Sequence, residues 1–120
     1  MAGPRRRVDP EHGRAALARV LEPHTMEPAD VRDAVRFLLE ELAAQAPGRS
    51  VEVRVPPHGA VQCVPGPQHT RGTPPNVVET DAMTWVALAT GDLGWADAMA
   101  EGRVQASGER ADLSGFLPVV

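Results

Sequence analysis

The feature that most constrains the fold is an apolar stripe between residues 28 and 46. Apolar side chains recur there at helical spacing, at Val31, Ala34, Val35, Leu38, Leu39, Leu42, Ala43 and Ala46. Spacings of three and four residues place these side chains on one face of a helix of about 18 residues. Pro28 suits the first turn, and Pro47-Gly48 ends the pattern. Such a helix requires a second apolar surface to cover it.

The period of the pattern then changes from about four to two. Val51, Val53 and Val55 alternate with Glu52 and Arg54, which predicts a strand with one buried and one solvated face. A Pro-Pro-His-Gly turn follows at residues 56–59. Residues 60–64 return as a second strand, residues 76–80 as a third, and residues 103–107 as a fourth, so the pattern predicts a hairpin followed by two further strands.

Shorter helices flank these strands. Asp9 is a good N-cap for a helix up to residue 22, and Asp81 for one that ends at Gly91. Residues 95–101 form another short helix, and residues 109–117 a last turn or short helix. The predicted fold class is therefore α+β: a mainly antiparallel four- to five-stranded sheet covered on one face by helices. We expect a flexible tail at 1–8 and a single domain at 9–120.

Charge and composition disfavour several kinds of partner. The net charge is −4 with the acids spread along the chain, and all 12 basic residues are arginine. This distribution has no electrostatic footprint for nucleic acid. The single cysteine cannot form an internal disulfide, and no apolar run approaches the roughly 20 residues that span a bilayer. We expect a cytoplasmic protein with no integral membrane association.

Residues 63–81 gather several reactive residue types without forming a recognisable catalytic motif. Cys63 lies on the face of Val61 in a predicted strand, which favours a small buried apolar residue over a nucleophile. The histidines have no metal-ligand spacing, and the glycines form no phosphate-binding motif. We therefore predict no catalytic residue, no metal site and no cofactor. His69, Arg71 and Asn76 are either solvated loop residues or the polar rim of a pocket.

The last 45 residues carry a specific resemblance. The pattern begins with a strand, then an acid-capped helix that contains a large apolar residue and stops at Thr-Gly. A short helix and a strand follow, each ending in Gly, and a final apolar turn completes the pattern. The matching residues are Asp81, Trp85, Leu88, Thr90, Gly91, Ala98, Gly102, Val104, Gly108 and Leu113. This stretch resembles the sterol carrier protein family, in its small bacterial branch, and residues 9–120 agree with the family plan. The family usually has one more strand where this chain has the Pro/Gly-rich residues 65–75.

The resemblance implies non-enzymatic binding or transfer of a lipid, sterol or fatty-acyl chain in a cavity between sheet and helices. The candidate cavity residues are Val35, Leu38, Leu39, Leu42, Val53, Val61, Trp85, Val86, Ala89, Phe116 and Leu117. Two alternatives remain. One is a protein–protein interaction module with a filled core, an unknown protein partner and a contact loop at residues 69–75. The other is an accessory domain of an enzyme that acts on hydrophobic substrates.

The free-energy cost of empty space limits the size of such a cavity. Ligand pockets begin at roughly 300 Å³. At about 24 cal/mol per Å³, an empty pocket of that size would cost on the order of 7 kcal/mol. A chain of this length has a total stability of only about 6 to 18 kcal/mol. We therefore expect a cavity that is either small or normally filled.

Overall fold

The computed structural model describes residues 6–22, 26–67 and 76–120, which form four helices and four strands. The helices are α1 (Pro10–Val20), α2 (Pro28–Gln45), α3 (Ala82–Thr90) and α4 (Trp95–Ala100). The strands are β1 (Val51–Val55), β2 (Gly59–Cys63), β3 (Val77–Thr80) and β4 (Val104–Ser107). Each of these eight elements lies where the sequence pattern predicts one, and residues 114–116 form a turn.

Helix α2 is covered by neighbours on several sides. Its apolar stripe is buried from Ala34 onward and half-buried at Val31, with Leu38 and Leu42 fully inaccessible to solvent. Helix α1, capped by Asp9 through the N–H of His12 at 3.1 Å, packs along it. Strand β2 and helix α3 are its other main neighbours. The apolar surface that the stripe requires is therefore supplied by three separate elements.

The four strands form one sheet in the order β2-β1-β3-β4. Strand β1 pairs antiparallel with β2, with Val53 opposite Val61, and β3 pairs antiparallel with β4. Strand β1, however, pairs parallel with β3, so the sheet is mixed. The α+β class is confirmed, whereas the expectation of a mainly antiparallel sheet needs correction, and the described residues contain no fifth strand.

The parallel pairing has a simple geometric origin. The last residue of β2 lies opposite the first residue of β1, and β3 also begins beside the start of β1. The end of β2 and the start of β3 therefore lie on opposite sides of the same end of β1. Strand β3 then runs in the direction of β1. The period-two pattern assigns faces to strands but not the direction of a neighbour.

The two faces of the sheet differ sharply. One face carries the buried side chains of Val51, Val53, Val55, Cys63, Val78, Thr80 and Val104. The other carries Glu52, Arg54, Gln62, Glu79 and Gln105, all half-buried or exposed. The buried valines join the side chains of α2 and α3 in one hydrophobic core. The sheet thus faces its core on one side, as the alternation predicts.

A close approach between α1 and α2 generates the first prediction. A Cβ atom added at Gly13 would lie 2.5 Å from Cβ of Phe37, far inside van der Waals contact. Alanine has a higher helix propensity than glycine by about 1 kcal/mol, but overpacking costs typically about 1–3 kcal/mol. We expect Gly13→Ala to lower the free energy of unfolding by up to about 2 kcal/mol in urea denaturation, since the overpacking cost exceeds the propensity gain.

The matched control is Gly115→Ala. A Cβ atom at Gly115 would meet no heavy atom within 4 Å. This variant should unfold at the same urea concentration as the wild type. A Gly13→Ala variant more stable than the wild type would show that the propensity gain is unopposed and that α1 and α2 are not in close contact at Gly13.

Candidate functional site

The predicted cavity residues lie together, but most are packed inside the core. Eight of them have exposed fractions of 2% or less: Val35, Leu38, Leu39, Leu42, Val53, Trp85, Val86 and Ala89. Val61, Phe116 and Leu117 are half-buried at the margin of the same core. The indole N–H of Trp85 donates to the carbonyl of Val35 at 3.3 Å, which links α3 to α2. Contact of these residues with a ligand stays a prediction.

Open space occurs at the seam between α2 and β2. A half-open pocket of about 180 Å³, here called the seam pocket, is lined by Arg7, Arg36, Leu39, Glu40, Ala43, His58, Gly59, Ala60 and Val61. Leu39 and Val61 are the two predicted cavity residues among them. The seam pocket therefore adjoins the predicted region at its outer edge.

Small residues create this space. Ala43 on α2 faces a strand that presents Gly59 and Ala60, so three neighbouring positions contribute at most one side-chain carbon each. A Cβ atom at Gly59 would lie 3.5 Å from Cδ1 of Leu39, in ordinary contact. Leu39 and Val61 supply larger apolar walls. The seam is thus narrow and apolar on its inner side.

The outer side of the seam pocket is polar. The Nε–H of Arg36 donates to the carbonyl of His58 at 2.7 Å, which joins α2 to the turn between β1 and β2. The Glu40 carboxylate accepts the backbone N–H groups of Arg7 at 2.9 Å and of Val8 at 3.2 Å. These contacts position two arginine side chains beside an apolar pocket.

Residues 6–8 are held against α2, and one of them, Arg7, lines this pocket. Besides the two bonds to Glu40, Arg6 and Glu41 form an ion pair at 2.9 Å, and Val8 is buried. These three residues belong to the segment that the sequence predicts to be a flexible tail. The division into a tail at 1–8 and a domain at 9–120 stays a prediction.

A smaller pocket lies near the C-terminus. It measures about 130 Å³, and Leu88, Leu93, Trp95, Leu117 and Pro118 are among its lining residues. The adjoining terminal segment is fixed, because the N–H of Val119 donates to the carbonyl of Ala89 at 2.9 Å. Leu117 is the only predicted cavity residue among the described residues that line this pocket. Its size makes it a weaker candidate than the seam pocket.

The proposed polar rim is placed only in part. His69 and Arg71 lie outside the described residues. Asn76 is buried, donates from Nδ2 to the carbonyl of Ser50 at 2.7 Å, and accepts the N–H of Arg110 at Oδ1 at 2.8 Å. Its amide thus ties the start of β3 to the segments before β1 and after β4. It borders a shallow surface depression and not the seam pocket.

Asp81 acts as the N-cap of α3, as the sequence predicts. Its carboxylate accepts the backbone N–H and the hydroxyl of Thr84 at 2.9 and 2.8 Å. Burial alone would raise the pKa of Asp81, but these hydrogen bonds outweigh it and hold the pKa below the usual value. Within residues 6–22, 26–67 and 76–120, no three His, Cys, Asp or Glu side chains are grouped as a metal site would require.

Sequence reasoning missed the polar half of the seam pocket. Arg36 and Glu40 are four residues apart on α2 and look like ordinary charged residues of its polar side, and His58 lies in a turn. The available signal was the Gly59-Ala60 pair at the start of a strand, because missing side chains in a strand often mark a close approach or a gap. Nothing local indicated that Ala43 would face that pair.

With this geometry in place, the class of protein is clear. A long helix that lies across one edge of a mixed sheet, followed by the capped helix, short helix and strand at residues 81–107, defines a sterol-carrier-like α+β domain. The family model described as bacterial SCP ortholog matches residues 27–119, more than three quarters of the chain. The chain belongs to this family. A search of curated proteins finds no match, and in the described part of the chain no helix is long and apolar enough to cross a membrane.

Cys63 gives a prediction about reactivity. Its side chain is fully buried, and burial raises the pKa of the thiol to about 12 by disfavouring the thiolate. The thiolate is the reactive form. We expect Cys63 in the native protein at pH 8 to react with a maleimide at least a hundredfold more slowly than in urea.

The raised pKa of the Cys63 thiol also determines how the stability of the fold depends on pH. A thiol whose folded pKa exceeds the unfolded value, 9.0, stabilises the fold below pH 9, and this contribution is lost as the pH rises towards 12. Wild type should therefore lose stability across this range more steeply than Cys63→Ala. Rapid native labelling, or identical pH profiles, would show that the thiol is accessible.

Proposed function

We propose that this protein binds an apolar small molecule without catalysing a reaction, and that the ligand enters at the seam pocket. Membership of the sterol-carrier-like family supports lipid binding or transfer. The observation that carries the proposal is the continuity between pocket and core. Leu39 lines the pocket and is also part of the buried core, and Val61 packs on that core. A chain that passes the polar outer side of the seam meets the apolar side chains of Leu39 and Val61.

The size of the pocket favours an acyl chain among the possible lipids. At about 180 Å³ the seam pocket is below the roughly 300 Å³ at which ligand pockets usually begin. A rigid four-ring sterol would have to displace core side chains all at once. An acyl chain can enter end first and displace them one at a time. We therefore propose a fatty-acyl chain as the ligand.

The filled core favours a second candidate function. Eight predicted cavity residues are almost inaccessible to solvent, as in a domain that binds other proteins through its surface. This interaction module would have an unknown protein partner and no lipid ligand. An accessory domain of an enzyme for hydrophobic substrates would use the same seam pocket. A cytoplasmic location stays a prediction from the sequence.

The first experiment asks whether the protein binds lipids. Delipidated full-length protein is titrated with dodecanoate, cholesterol and a neutral detergent in the calorimeter, and melting temperatures are measured in parallel. A ligand that binds only the folded state adds RT ln(1 + [L]/Kd), about 2.7 kcal/mol at a hundredfold excess over Kd. We expect dodecanoate to bind at micromolar concentration and to raise the melting temperature. Absence of binding by every compound would favour the interaction module.

A second experiment asks whether the ligand uses the seam pocket. Ala43→Leu adds three carbon groups, each comparable in size to a water molecule, which takes up roughly 30 Å³ in the liquid, so together they occupy about half of the pocket. We expect dodecanoate binding to weaken at least tenfold, with little change in stability because the added atoms fill open space. Ala44→Leu is the matched control, since Ala44 is exposed on the same helix. Unchanged binding by Ala43→Leu would move the ligand site elsewhere.

A further inference from the structure

Two arginines among the described residues are half-buried, Arg36 and Arg54. They differ in that Arg36 has no acidic partner in this part of the chain. Arg54 forms an ion pair with Glu52 on the open face of the sheet. Arg36 is also half-buried, yet no carboxylate of a described residue forms an ion pair with it. Removing a cation from water is unfavourable unless a partner compensates for the lost solvation. The seam pocket thus contains a partly desolvated positive charge.

The single hydrogen bond of Arg36 holds its guanidinium at the mouth of the pocket. Nε–H donates to the carbonyl of His58 at 2.7 Å. A guanidinium has five N–H donors, so four remain on its two terminal nitrogens. Among the described residues, no acceptor takes these four. Two parallel N–H groups on one planar fork match the two oxygens of a carboxylate.

Glu40 is the acid of α2 that lines the seam pocket together with Arg36, and it is already engaged. Its two carboxylate oxygens accept the backbone N–H groups of Arg7 and Val8. Two backbone donors partly neutralise its charge inside the pocket. Arg7 and Arg36 both line the same pocket, so cationic residues outnumber this one acid. This local excess contrasts with the net charge of −4 of the whole chain.

We propose that the seam pocket binds an anionic amphiphile whose oxyanion end, a carboxylate or a phosphate, is held by Arg36. The terminal nitrogens of Arg36 donate two parallel hydrogen bonds, and Arg7 adds a second positive charge. The alkyl chain lies against Leu39, Ala43 and Val61. The inference rests on the proposed function and specifies the chemical class of its ligand and the residue that selects it.

The test compares ligands that share one chain and differ in the polar end. Delipidated full-length protein is titrated with octanoate, octyl phosphate and 1-octanol at low ionic strength. We expect at least one of the two anions to bind tenfold or more tightly than 1-octanol. The stronger of the two identifies the oxyanion. This comparison requires no substitution and therefore no assumption about folding of a variant.

Variants then assign the preference to Arg36. Arg36→Gln keeps a side-chain N–H that can reach the carbonyl of His58. It removes the positive charge and the pair of parallel N–H donors. It should weaken anion binding at least tenfold and leave 1-octanol binding unchanged, whereas Arg36→Lys should retain part of the preference. Arg49→Gln is the matched control. Arg49 is exposed, bonds to Gln62 at 2.8 Å and does not line the pocket.

Each result has a defined meaning. Equal affinity of the wild type for octanoate, octyl phosphate and 1-octanol would overturn the inference and leave the proposed lipid binding intact. Anion preference that survives in Arg36→Gln would also overturn it, because another group would then hold the oxyanion. Failure of dodecanoate and of all three octyl compounds to bind would remove the proposed function together with the inference. If Arg36→Gln does not fold, the wild-type comparison and Arg36→Lys decide.

Discussion

Burial of the apolar face of α2 is the constraint on which the rest of the structure depends. Leu38, Leu39 and Leu42 lie on this face with exposed fractions of 1% or less. Each such side chain contributes about 1.5–3 kcal/mol when removed from water. No single neighbour covers the face: α1, β2 and α3 share it. The sheet, the helix pair and the second half of the chain are therefore organised around one helix.

This packing also limits where a ligand could be accommodated. A filled core stabilises the domain but leaves little room between sheet and helices. The seam pocket lies where the side chains of Ala43, Gly59 and Ala60 are too short to close the gap between α2 and β2. A pocket of about 180 Å³ open to water avoids most of the roughly 7 kcal/mol that a dry cavity of ligand size would cost. The seam pocket therefore results from small residues at the edge of a well-packed core.

Local chemistry predicted much of the fold, and long-range contacts explain what it missed. The caps at Asp9 and Asp81, the burial of Cys63 and the positions of the eight elements follow from periodicity and capping, which act over a few residues. The parallel pairing of β1 with β3 and the bonds from Arg7 and Val8 to Glu40 join segments far apart in the sequence. The family resemblance pointed to an apolar region but not to Arg36, because the position of its guanidinium depends on a hydrogen bond to the carbonyl of His58.

The small pocket and the filled core together set a condition on the ligand. A chain longer than the seam pocket must displace a core side chain such as Leu39, at a cost of about 1.5–3 kcal/mol. Each methylene of the ligand removed from water returns about 0.8 kcal/mol, so two to four methylenes beyond the pocket offset one displaced side chain. In the proposed binding mode, Arg36 acts at the other end of the ligand. An oxyanion held at the mouth by its guanidinium would anchor the polar end there, so this contribution does not require a core side chain to move.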